Sequence, residues 1–154
     1  MIDNFLFTQP PVSAAAVREF EQSTGVTIPP EFVELMSGPA NGARPTPQDT
    51  FNVPTRRNNE EDSVSEFLTL SVDGGREVSS LAQSYDTLKG RTPDQTIPIA
   101  ACGCGDTVLL YWTGPQQGQV WIWDHEDEGQ DNIYFVANSL TEFLDSLYEH
   151  PESA

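Results

Sequence analysis

Residues 97–126, IPIAACGCGDTVLLYWTGPQQGQVWIWDHE, hold all three tryptophans, both cysteines and one of the two histidines of the chain. Their apolar residues alternate. Val108, Leu110 and Trp112 face one way along a strand and Leu109 and Tyr111 the other, which is the period-two signature of β-structure. The turn-forming TGPQQGQ reverses the chain, and Val120 and Ile122 then alternate with Trp121 and Trp123. The stretch reads as a β-meander with a polar, acidic exit. Strands this apolar cannot stand alone in water, so other elements must cover one face.

Working outward, Ile133 to Ala137 reads as one more strand. Ser139-Leu140-Thr141-Glu142 has capping-box spacing, and Leu140, Phe143, Leu144, Leu147 and Tyr148 continue it as one helical stripe. Upstream, Val78, Leu81, Tyr85 and Leu88 predict an amphipathic helix over 77–88, after a short strand or helical turn at Phe67, Leu68 and Leu70. Residues 38–63 read as a long polar connection, with a short edge strand at Thr50 to Val53 before Pro54. Residues 12–24 predict a helix capped by Ser13 and closed by Gly25. A second helix starts at Pro29 or Pro30 and carries Phe32, Leu35 and Met36 on one face. Helices segregated from antiparallel strands imply an α+β fold, and 154 residues suit one domain.

Charge narrows the function. The net charge is −17, and residues 92–154 hold 11 acids with no lysine or arginine. Such a field disfavours nucleic acid and anionic membrane, and it steers a basic partner in. No apolar run is long enough to span a membrane, and MIDNFLFTQPP lacks the basic start of a signal peptide, so a cytoplasmic location is expected.

Cys102 and Cys104 flank one glycine, a spacing too tight for an unstrained disulfide; without a second Cys/His pair they read as turn residues. Asp124-His125-Glu126-Asp127-Glu128 could ligate a metal or place a general base, yet its side chains diverge from a strand end. No HExxH, P-loop or GxSxG pattern supports catalysis. The expectation is no enzyme, no metal and no cofactor. His125 and Glu126 either close a loop corner or meet a partner. The tryptophans offer large contact area at low entropy cost, though two of the three could be core.

The chain then resembles a known family. Phe20-Glu21, Gly25, Ile28-Pro29, Phe32, Leu35, Met36 and Asn41-Gly42 are similar to the opening signature of the SUKH superfamily, which includes fungal Smi/Knr regulators and bacterial immunity proteins. Ile97 to Ala100 with Gly105-Asp106, Val120 to Glu126, and Ser139-Leu140 with Phe143-Leu144 follow in that family's order. CGCGD departs from the acidic, glycine-rich turn usual there, and Trp112 stands where a polar residue often follows the strand. The resemblance implies a bent, mainly antiparallel sheet flanked by two N-terminal helices and a C-terminal helix. It also implies an immunity-type protein that binds a toxin domain, often a nuclease, or else a regulatory interaction module. Asp106, Trp112, Trp123, Asp124, His125, Glu126, Asp127 and Glu128 are the candidate partner-binding residues.

Overall fold

A computed structural model describes residues 2–56, 60–70, 80–127 and 132–153. The chain opens with β1 (Asn4–Leu6), α1 (Ala14–Thr24) and α2 (Pro30–Met36). It continues through β2 (Arg44–Thr46), β3 (Gln48–Asn52), β4 (Glu61–Phe67) and α3 (Leu81–Leu88). The meander follows as β5 (Thr96–Cys102), β6 (Thr107–Tyr111), β7 (Val120–Trp123) and β8 (Ile133–Ala137), then α4 (Leu140–Ser146), β9 (Tyr148–Glu149) and a 3-10 turn at Pro151–Ser153. β1 pairs with β2; the other strands form one sheet in the order β8-β7-β6-β5-β4-β3-β9, every pairing antiparallel. Register shifts interrupt four of those pairings, and such bulges bend a sheet. The α+β architecture and the bent antiparallel sheet are those expected.

Alternation decides the two faces. Val108, Leu110 and Ile122 point inward and join one cluster with Phe20, Phe32, Met36, Leu81, Leu140 and Phe143 from the four helices. Phe51 and Phe143 meet edge to face at 5.0 Å within it, and Trp112 packs against it. Leu109 and Tyr111 are buried but stand outside that cluster, on the outer face. There Tyr111, Trp121 and Phe135 form a ladder of edge-to-face rings at 5.9 and 5.8 Å.

The helix signals act as local chemistry requires. Ser13 accepts from the Ala16 N–H at 3.1 Å, Gly25 closes α1 at φ 79°, and Pro30 occupies the first turn of α2, where no N–H is needed. Ser139 accepts from the Glu142 N–H at 3.0 Å. The Glu142 carboxylate accepts from the Asn138 N–H, one residue earlier than a standard capping box.

Four expectations change. Residues 38–63 are not one connection: they hold β2, β3 and the start of β4. The expected edge strand, β3, lies inside the sheet, between β4 and β9. α4 ends at Ser146 and Leu147 turns extended, so Tyr148 leaves the helical stripe to pair with Thr50. α3 begins at a Ser80 cap, while the predicted first turn at Glu77 and Val78 falls outside the described residues.

Candidate functional site

The ends of β3, β5 and β7 and the starts of β4 and β6 meet at one end of the sheet, because antiparallel pairing sets Asn52 beside Glu61, Val64 beside Cys102 and Thr107 beside Trp123. Arg56, in the β3–β4 connection, is the hub there. Its side chain is 7% exposed, and it donates from Nη1 to Asp106 Oδ2 at 3.0 Å and from Nη2 to Asp62 Oδ2 at 3.2 Å. Asp124 lies 3.6 Å away, and Glu60 3.0 Å from Nε without the alignment of a hydrogen bond. The guanidinium stands 5.8 Å from the Tyr134 ring centroid. A buried arginine must be compensated to remain buried, and two buried carboxylates do so.

Asp106 is the second node. Its Oδ1 accepts the His125 backbone N–H at 3.2 Å and lies 2.6 Å from His125 Nδ1. Gly105 adopts φ 101°, and a side chain there would begin 3.0 Å from His125 Cε1, so glycine makes room for the ring.

The charges follow these contacts. Burial works to raise Asp106, but the bonds from His125 and Arg56 outweigh it and hold it below the usual carboxylate range. Burial pushes Asp62 up, and neighbouring Asp106 adds to the effect. Burial alone would lower Arg56, yet the bonds to Asp106 and Asp62 hold it above its ordinary value. The bond to Asp106 raises His125.

Among the described residues, two groupings bring potential cation ligands together: Asp62 with Cys104 and Asp106, and Asp106 with Asp124 and His125. Both use Asp106, whose oxygens already serve Arg56 and His125. The guanidinium supplies the positive charge that a metal would bring. Cys104 sits 3.4 Å from both Asp62 oxygens, and burial and these acids push its thiol up to about 11. Burial likewise drives Cys102 well above its ordinary value. Both shifts run against the thiolate, the form that an activated nucleophile needs.

Of the sequence-predicted residues, Trp123, Asp124, His125, Glu126 and Asp127 come together at this corner. Glu126 is 83% exposed at the side chain, and Asp127 accepts the Tyr134 hydroxyl at 3.0 Å. Asp124, Glu126, Asp127 and Glu60 surround Arg56 and Tyr134 in a polar cleft of about 490 Å³. Asp106 is 4% exposed and acts from beneath. Trp112 is not brought here. It closes the far end of β6 with its indole N–H on Asp94 O at 3.2 Å. Glu128 lies outside the described residues. Arg56 and Asp62 went unread in the sequence, although Asp62, Val64 and Phe67 offered a partial strand pattern.

Fold and corner together define a class: an α+β domain fold with an aromatic outer sheet face, ended by an acidic corner built on a buried arginine. The chain belongs to the SMI1 / KNR4 family (SUKH-1), which matches residues 11–146. It is also 35% identical over 77 residues to YokK of Bacillus subtilis (strain 168), described as an SPbeta prophage-derived uncharacterized protein. That match covers 49% of this chain and 38% of the relative, so the chain spans well under half of YokK's length.

Proposed function

We propose that the chain is an immunity-type binding protein, not an enzyme, that neutralises a cognate toxin domain in the cytoplasm by forming a stoichiometric complex. One observation carries the reading. The ladder of Tyr111, Trp121 and Phe135 lies on the sheet face away from the helical core, and β7, which carries Trp121, runs at its end into the acidic cleft lined by Asp124, Glu126 and Asp127. Half-buried tryptophans supply contact area without large entropy loss, and an acidic rim accelerates encounter with a basic partner. Trp121 and Trp123 would form the centre of the contact, with Asp124, His125, Glu126 and Asp127 its rim. Asp106 and Arg56 are positioning residues that hold the rim from below. A basic nuclease domain has the matching chemistry.

Co-expression with a toxin domain encoded by a neighbouring gene tests the reading. The expected result is cell survival and an equimolar complex. The Glu126→Lys/Asp127→Lys variant should slow association on the order of tenfold at low salt, and added salt should narrow that gap. Cells that die, with no complex recovered, would overturn the proposal. A complex without protection would identify a regulatory interaction module instead.

A further inference from the structure

A second surface lies at the end of the sheet remote from the Asp106 corner. β8 ends at Ala137 opposite Val120, and α4 starts soon after it. Between α2, α4 and β1 runs a groove of about 570 Å³. Phe5, Leu35, Leu140 and Leu144 line it together with Glu31 and Glu34, and none of its residues is a lysine or arginine. Neither glutamate is ion-paired among the described residues.

Leu6 and Phe7 follow the groove-lining Phe5 in the chain and are 39% and 52% exposed, the large apolar side chains left most open among the described residues. The segment after them is tied down. Thr8 donates from its hydroxyl to Pro39 O at 2.5 Å, Gln9 N–H donates to Asn41 O at 2.8 Å, and Asn41 Nδ2 donates to Pro10 O at 2.7 Å. Pro39 itself lines the groove. Phe7 adopts φ 66°, a left-handed backbone that a non-glycine residue rarely takes. Gly42, at φ 63°, lets Gln9 approach; a side chain there would begin 2.6 Å from Gln9 Cγ. Phe5 on the groove wall, followed directly by the exposed Leu6 and Phe7, leaves apolar surface open on this part of the chain.

Charge selects the occupant. A second copy would bring another −17 against this acidic wall, so self-association is opposed. The geometry points to a docking groove for an amphipathic segment of another protein, with leucine- or phenylalanine-type side chains entering it and lysine or arginine beside Glu31 and Glu34. β1 lies outside the residues matched by the family, and the inference does not depend on the toxin reading.

The test titrates the isotope-labelled chain with a synthetic helical peptide of leucine and lysine, and with the same peptide carrying glutamate for lysine. The lysine peptide should bind saturably and shift the resonances of Phe5, Leu35 and Leu144. Glu31→Lys/Glu34→Lys should weaken it roughly tenfold or more, while Glu126→Lys/Asp127→Lys should leave affinity within about twofold. If the first variant loses its native spectrum, Phe7→Ser, altering one exposed side chain, takes its place and should also weaken binding. Shifts confined to the Asp124–Asp127 end, equal binding of the glutamate peptide, or self-association that the peptide does not displace would each overturn the inference.

Discussion

Replacing Arg56 with methionine is the sharpest probe of this molecule. Methionine keeps much of the apolar stem but removes the guanidinium over Tyr134 and the charge that Asp62 and Asp106 share. Those carboxylates are 3% and 4% exposed at the side chain, so each would be left buried without its cation. Removing one partner of a buried pair costs about 3–5 kcal/mol. The contact to Glu60, 47% exposed, adds at most about 1 kcal/mol. A loss near 4 kcal/mol is therefore expected at neutral pH. For a chain of this length that lowers Tm by about 8–16 °C, at about 2–4 °C per kcal/mol. Urea titration measures the loss directly. The pH dependence has a definite sign. Asp106 is held below its ordinary value in the folded chain, so its contribution is present above about pH 4 and fades as pH falls through its folded pKa. The gap between wild type and variant must therefore narrow in acid. Adding Asp62→Asn and Asp106→Asn should recover a large part of the loss. A deficit under about 1 kcal/mol, or one that persists unchanged at low pH, would refute the assignment of Arg56 as the hub.

Three further outcomes follow from the same corner and from α4. The His125 resonance should titrate above 6.5 and fall toward it in Asp106→Asn; because its folded pKa is raised, the stability this contact gives is complete below pH 6.5 and is lost as pH rises through the folded value. Gly105→Ala should cost about 1–3 kcal/mol in urea titration, through its φ of 101° and the ring 3.0 Å away, and should also lower the His125 midpoint. Ser139→Ala should cost about 1 kcal/mol by the same measurement, since its hydroxyl caps the Glu142 N–H.

The parts of the fold legible in the sequence were those where one local signal acts alone. Alternation in 108–112 and 120–123 gave β6 and β7 on the correct faces, and serine caps marked α1 and α4. Where long-range pairing decides, reading by period failed. EDSVSEF looks polar in part because Asp62 is buried for Arg56, a residue that only the fold brings beside it, so residues 61–63 of β4 read as the end of a polar connection. Leu147 and Tyr148 fit a helical stripe, yet the free side of β3 claims Tyr148. The acidic corner was visible as a run of residues, but its underside was not. Nothing in the spacing of Arg56, Asp62, Asp106 and His125 announces that they touch, whereas Trp112 and Trp123, both eye-catching, end at opposite ends of the sheet.

The two borders of the sheet differ in how they meet solvent. At one, β9 is only two residues long and Pro151 follows shortly, so little backbone is offered to a foreign strand. At the other, β8 is five residues of IYFVA, and the Thr55 hydroxyl already occupies its Phe135 carbonyl at 3.1 Å. Thr55 adjoins Arg56, so the loop anchored by the buried ion pairs also guards this border. Loss of the anchor would unlatch the guard and open an apolar template for intermolecular pairing. Solubility in this chain is thus tied to an interior arginine as well as to its acidic exterior.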